Sequence, residues 1–313
     1  MATALFLVLV GVILLGWAAD QFVLGAARVA VLTNVSPVVV GVVIVGFGTS
    51  APEILVSGLA AAQGDLDVAV GNVVGSNLAN LTLILGVAAG LTALIIESTT
   101  VWREAPLTVG SMVLFAVVVR GGLGTTEGIV LLAVLVAALW WILRGATGVD
   151  DLGREATELT EPQGTLRGES ARTLAGLVGT IAGAQALLTG ALDLAARAGI
   201  DDGVVGLTLV AIGTSLPELV TVAQSARRGE HDLIVGNLLG SSMFNSLAVA
   251  GVAAIVGPAV LPDTPLAIVA PVIAVLVGAV VWAMMGTQRR IGRREGVVLI
   301  LAYAVIFPLL AIA

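Results

Sequence analysis

Gly48 to Glu53 reads GTSAPE and Gly71 to Asn80 reads GNVVGSNLAN; 165 residues further on, Gly213 to Glu218 reads GTSLPE and Gly236 to Asn245 reads GNLLGSSMFN. Between these patches the offset never changes. Residues 39–87 align with 204–252 without a gap, with 20 identities over 49 positions. Two Gly-rich apolar segments can resemble each other by composition alone, but shared polar residues at fixed spacing over this length point to an internal duplication.

The surroundings of the repeats set the medium in which they work. Of 313 residues 58% are hydrophobic and 11% charged, at a mean hydropathy of +1.10. A soluble domain carries about 25% charged residues, so a water-facing surface of ordinary extent is excluded. Apolar runs near 3–27, 37–62, 68–90, 105–119, 125–143, 174–196, 203–225, 233–257, 264–286 and 296–312 predict ten membrane-spanning helices. The first run follows Met1 without a basic leader or a small-residue cleavage site, and reads as a retained span. Residues 144–172 are polar, charged and without apolar periodicity, and read as a solvated linker. The expected organisation is a five-helix repeat over 1–143, a cytoplasmic linker over 144–172 and a second five-helix repeat over 173–313.

All 14 basic residues are arginine. Twelve of them fall in loops after odd-numbered spans, and only Arg120 and Arg197 fall on the other side. Positive residues favour the cytoplasm, so both termini are expected outside and the linker inside. An odd number of spans per half makes the second copy enter the membrane from the opposite face. Inverted repeats of this kind build many secondary transporters, with the binding site near the midplane. Cysteine is absent, which removes disulfides and thiolate metal sites. The net charge of −7 is spread without a basic patch, so no nucleic-acid partner is expected; the partner is the lipid bilayer.

Glu53 and Glu218 fall inside apolar spans. A carboxylate at such depth costs at least about 2.5–3.5 kcal/mol on insertion scales, and no Arg, Lys or His lies mid-span to balance it. A bound cation or a proton remains. Thr49 and Glu53 are i and i+4 on one helical face, as are Thr214 and Glu218. Asn72, Ser76 and Asn80 form an i, i+4, i+8 stripe on the next span, repeated by Asn237, Ser241 and Asn245. Pro52 and Pro217 lack an N–H and clash with the carbonyl four residues back, so the helix is expected to break there and turn carbonyls toward the site. Two carboxylates with amide, hydroxyl and carbonyl oxygens, without sulfur or imidazole, suit Ca2+ over Zn2+ or Cu2+; Mg2+ demands a tighter octahedron. Two carboxylates balance one Ca2+ or two Na+. For Ser57 or Thr82 alone, plain helix-packing hydrogen bonds are the expectation. His231 reads as a solvated loop residue, and Asp20 and Asp193 as interfacial.

GTSxPE followed by GNxxGSNxxN, present twice, resembles the two α-repeats of the calcium/cation antiporter superfamily, and particularly its prokaryotic sodium/calcium exchanger branch, over nearly the whole chain. The GNAAEH-like motif of proton-coupled relatives is absent. The resemblance implies an all-α membrane protein, Na+ exchanged for Ca2+ by alternating access, and a rigid core of spans two, three, seven and eight across which spans one and six slide. It implies Glu53 and Glu218 as central Ca2+ ligands, helped by the carbonyls of Thr49 and Thr214. Na+ would use Thr49, Ser50, Glu53 and Ser241, and Thr214, Ser215, Glu218 and Ser76, with carbonyls of Gly46 and Ala211; Asn80 and Asn245 would flank the centre. Several members carry Asp at the position of Asn245, so this chain has one acid fewer. No enzymatic activity and no cofactor are expected, only Ca2+ and Na+ as transported substrates, and one chain carrying both halves is expected to work as a monomer. A proton-coupled Ca2+ antiporter on the same fold is the alternative. A passive channel would need a continuous path, and an intramembrane aspartyl protease would need a mid-span Asp.

Overall fold

The computed structural model describes residues 1–33, 50–96, 100–145, 164–228, 231–261 and 265–311. These are almost wholly helical: α1 (Ala2–Leu32), α2 (Ala51–Ala62), α3 (Leu66–Leu91), α4 (Val101–Gly121), α5 (Thr125–Gly145), α6 (Leu166–Ala198), α7 (Asp202–Thr214), α8 (Leu216–Arg228), α9 (His231–Phe244, running on through Asn245–Val249 into Ala250–Val256), α10 (Pro265–Gln288) and α11 (Arg293–Ala311). Among the described residues seven helices are long and apolar enough to cross a bilayer, or eight if the bent pair α7–α8 forms one span. Sequence patterning predicts ten. Half of the expected span over 37–62, residues 37–49, lies outside the described residues, leaving only α2. In α11 the first turn holds Arg293, Arg294 and Glu295, which shortens the apolar stretch that remains.

The helices divide into an inner and an outer set. The spanning stretches of α3 and α9 are 83% and 78% buried, against 33%, 22% and 33% for α1, α5 and α10. Outer helices show apolar stripes such as Leu9, Ile13 and Trp17 on α1, and Leu301, Val305 and Leu309 on α11, as expected of surfaces solvated by lipid tails. Lipid offers no hydrophobic drive for helix association, so small residues that let backbones approach set the packing. The long helices α1 and α6 run against each other in this way: a Cβ added at Gly183 would stand 2.6 Å from the Leu15 nitrogen, and one at Gly176 2.4 Å from that of Phe22. In the core, α3 meets α7 so closely that a Cβ at Gly75 would lie 2.2 Å from the Leu207 carbonyl oxygen, and one at Gly206 2.2 Å from that of Val68.

Structural features recur with the sequence repeat. Ser50 (φ −88°, ψ 4°) precedes α2, and Ser215 (φ −84°, ψ 6°) precedes α8. A π turn interrupts α3 at Ala79–Ile84 and α9 at Asn245–Val249. The Leu94–Ile291 pair of a two-stranded antiparallel ribbon (β1 Leu94–Ile95, β2 Arg290–Ile291) has its counterpart in the antiparallel bridge between Ala259 and Leu123. The close approach of Gly296 to the Gly86 carbonyl is matched by that of Gly128 to Gly251, each at 2.7 Å for an added Cβ.

Two local features differ from the sequence-based expectation. The helix α6 begins at Leu166, inside the stretch read as linker, with the Thr165 hydroxyl accepting the Gly168 N–H at 3.2 Å. Its polar first turns are folded because Glu169 is buried between Arg28 of α1 and Arg172, each at 3.4 Å; the pairing is tertiary and leaves no periodic trace. His231 opens α9 as a half-buried helical residue rather than a solvated loop residue.

Candidate cation site

The site forms where the starts of α2 and α8 pass two bulged helices. Pro52 and Pro217 each occupy the second position of a helix, where the missing N–H costs nothing. Proline cannot donate to the carbonyl four residues back, so that of Gly213 goes without this bond and α7 ends at Thr214; α8 restarts at Leu216 with a bend of 42°. Glu53 and Glu218 therefore stand in the first turns of α2 and α8. Both are 1% exposed, and Glu218 lies within the electrostatic field of Glu53. Helix α2 packs against the π turn of α9 that begins at Asn245, and α8 against the π turn of α3 that contains Asn80. Each carboxylate-bearing helix thus faces the amide-bearing turn of the other repeat.

Hydrogen bonding splits the polar residues into two groups. In the first, every atom has work within the protein. The Asn72 amide donates to Ser57 Oγ at 2.9 Å, and its oxygen accepts from Ser76 at 3.4 Å and Thr214 at 3.3 Å. Asn72 is therefore a saturated bracket between α2, α3 and α7. Ser57 and Thr82 make the packing bonds expected of them, Thr82 to the Leu78 carbonyl. The Ala211 carbonyl already accepts from the Ser215 N–H at 3.1 Å and the Thr214 hydroxyl at 3.3 Å.

In the second group, buried atoms find no hydrogen-bond partner among the described residues: Ser50 Oγ, Glu53 Oε2, Glu218 Oε2, and both polar atoms of the Asn80 and Asn245 amides. The other oxygen of Glu53 accepts from the Ser215 hydroxyl at 3.2 Å, which ties α2 to the α7–α8 break. Buried unpartnered polar atoms are rare in native structures, and here they gather on the residues that sequence reading singles out. Ser76, Ser215, Thr214 and Ser241 are also buried. Thr49 and Gly46 lie outside the described residues. Asn77 is one residue that sequence reading passes over. Its amide donates to Ser246 Oγ across the two repeats at 2.9 Å, and its oxygen is buried and unpartnered. It sits inside the GNVVGSNLAN motif, but its counterpart is Ser242, so the repeat gave no signal. Asp20 is exposed, and Asp193 pairs with Arg197 at 3.0 Å, as interfacial residues should.

Two carboxylate oxygens, two amide oxygens and a hydroxyl without protein partners make up a hard-oxygen set that carries two negative charges when both carboxyls are ionised. Among the described residues no group of three His, Cys, Asp or Glu side chains is placed to hold a metal ion, so a cation held here would rest on the carboxylate pair and neutral oxygens. Such a set holds hard cations.

Comparison with known proteins agrees with this chemistry. The family model described as sodium/calcium exchanger protein matches residues 3–144 and 171–310. The chain is 38% identical over 313 residues to a putative antiporter, CaxA, of Alkalimonas amylolytica, covering 97% of both chains. It is 30% identical to the sodium/calcium exchanger MaX1 of Methanosarcina acetivorans, again over 97% of both. Among solved structures, it resembles the sodium-calcium exchanger NCX_Mj soaked with Na+ and Sr2+, at 28% identity and a TM-score of 0.68, covering 98% of both chains. With a family model spanning both halves and relatives matched almost end to end, this integral membrane, multi-pass chain belongs to the sodium/calcium exchanger protein family.

Proposed function

We propose that the chain is a secondary antiporter that exchanges Na+ for Ca2+ by alternating access. The observation that carries this reading is the pair of buried carboxylates, Glu53 and Glu218, each with an oxygen lacking a protein partner and no cationic side chain among the described residues to balance them. One Ca2+ neutralises the pair. Two Na+ do the same, and a third leaves the site at +1, so the ions compete for one charge. Central ligands are Glu53 and Glu218; Asn80 and Asn245 flank them, and Ser50, Thr214, Ser215, Ser76 and Ser241 supply hydroxyls. Thr49 and the Gly46 and Ala211 carbonyls complete the set. For Ala211 this requires giving up one of its two hydrogen bonds. Relatives named as antiporter and sodium/calcium exchanger support Na+ as the coupling ion, as does the lack of the GNAAEH-like motif of proton-coupled members.

The architecture we propose is ten spans in two inverted halves, 1–143 and 173–313, joined by a cytoplasmic linker over 144–172, in the plasma membrane with both termini outside. Supporting it is the recurrence of the helix starts at Ala51 and Leu216, the π turns, the bridge pairs and the glycine contacts with the sequence repeat. Residues 146–163 of the linker lie outside the described residues. The close-packed α1–α6 pair is the element that slides over α2, α3, α7, α8 and α9, and a single chain suffices. Proteoliposomes with an imposed Na+ gradient should drive Ca2+ uptake in the absence of a pH gradient. Uptake driven only by a pH gradient would assign proton coupling to the same site instead.

A further inference from the structure

The second repeat carries a cleft that the first lacks the chemistry to match. It lies between the end of α3 and the β2–α11 connection, has a volume of about 630 Å³, and its lining includes Leu91, Gln288, Arg290, Arg293, Arg294 and Glu295. The three arginines are exposed, and among the described residues no carboxylate pairs with them. Glu295 is tied to the backbone, its Oε2 accepting the Gly292 N–H at 3.0 Å, and leaves the lining with three positive charges against one negative.

The internal duplication supplies a control for what the scaffold itself needs. In the first repeat the same construction appears before α5, where Glu127 Oε2 accepts the Gly124 N–H at 3.1 Å and Leu123 bridges Ala259. Glycine, capping glutamate and bridge are thus common to both copies. The positions of Arg290, Arg293 and Arg294 are Gly122, Thr125 and Thr126 in the first copy. The fold does not require the arginines, and three of them on one cleft create an anion-binding surface. Guanidinium forks match phosphate oxygens bidentately. The surroundings then choose between a soluble phosphate and a lipid. Leu91 is 52% exposed beside the cleft, and Val298, Leu301 and Val305 continue from Arg294 along one exposed face of α11. A headgroup in the cleft would leave its acyl chains on that apolar face.

We propose that this cleft binds the phosphate of an anionic phospholipid, independently of which ion drives transport. Basic pockets between membrane helices suit such headgroups. The competing explanation is that these arginines serve only to orient the chain in the membrane, which would demand no lipid preference of the purified protein. The test is native mass spectrometry of the full chain in detergent, titrated with phosphatidylglycerol or phosphatidylcholine. Each arginine near an anionic headgroup contributes about fivefold in affinity, so Arg290→Gln, Arg293→Gln and Arg294→Gln together should weaken phosphatidylglycerol binding on the order of 100-fold. Arg289→Gln, which removes the same single charge as each of these substitutions but from outside the lining, should leave it unchanged. Should the triple variant fail to elute as a monodisperse species, the three single variants carry the test at about fivefold each. Equal binding of the two lipids by the unaltered protein, or an unchanged preference in the variants, overturns the proposal. So does displacement of phosphatidylglycerol by inorganic phosphate at equal concentration, which would mark a free-phosphate site without a lipid component.

Discussion

Replacing Gly75 by alanine adds one methyl group at one of the two tightest points between α3 and α7, without changing any side chain proposed as a ligand. The new Cβ would stand 2.2 Å from the Leu207 carbonyl oxygen and 2.6 Å from the Ala211 Cβ, where ordinary contact begins at 3.4 Å. Neither obstacle is the end of a flexible side chain, so the helices must part by about 1 Å or more. Overpacking of this kind costs about 1–3 kcal/mol. Alanine returns about 0.5–1 kcal/mol of helix propensity, leaving a net loss of up to about 2.5 kcal/mol. The functional cost should be larger than the structural one. The bond from Thr214 on α7 to Asn72 on α3 is 3.3 Å long, and a further 1 Å breaks it, releasing the bracket that holds α2, α3 and α7 in register around Glu53. Each 1.4 kcal/mol of lost ligand geometry is about tenfold in affinity. Gly75→Ala should therefore unfold at a lower temperature in detergent and need at least about ten times more Ca2+ for half-maximal uptake into vesicles. Gly110→Ala is the matched control: its position on α4 is exposed with nothing within 4 Å of an added Cβ, so it should be neutral or slightly stabilising. A Gly75→Ala protein as stable and as active as Gly110→Ala would refute the close-packed core.

Asn245→Asp adds a third acid beside Glu53 and Glu218. Ca2+ transport should persist but become more sensitive to acid between about pH 5 and 8, and superimposable pH profiles would remove Asn245 from the site. A single cysteine at Thr157 should be labelled only from the cytoplasmic side of intact cells, and labelling from outside would invert the proposed topology. Burial and, second, the charge of Asp202 raise the pKa of Asp65, so its ionised form opposes folding. Stability from this group is full below the unfolded value near about 4 and falls as pH rises through the raised folded value. Asp202→Asn should accordingly stabilise the protein at neutral pH, and the gain should fade on acidification below about pH 4, as read by thermal unfolding; a gain independent of pH would contradict the repulsion.

What the sequence made legible followed from cost. A glutamate inside an apolar run, a proline beside it and the same arrangement 165 residues later leave few arrangements open, and the helix start after Ser50 and the helix break at Ser215 stand where Pro52 and Pro217 placed them. Features set by partners distant in sequence stayed hidden. The helical start at Leu166 depends on Glu169 meeting Arg28 from 141 residues away. The π turns at Asn80 and Asn245 have no compositional mark, since they arise from how the helix accommodates its neighbours. Asn72 and Asn80 look alike on one helical stripe, yet Asn72 is saturated by Ser57, Ser76 and Thr214 while Asn80 has no described partner. The arginines around β2 were legible only as a topology signal, and the cleft they line needed three dimensions.

The role of the carboxylate pair comes down to charge. Glu53→Gln and Glu218→Gln keep shape and burial while removing one negative charge each, leaving a site of one negative to face a divalent ion. Ca2+ uptake into Na+-loaded proteoliposomes, measured at equal protein content with thermal unfolding to show that each variant is folded, should fall to the level of protein-free vesicles in both. Uptake at the unaltered rate by either variant would show that the Glu53–Glu218 pair does not carry the transported ion.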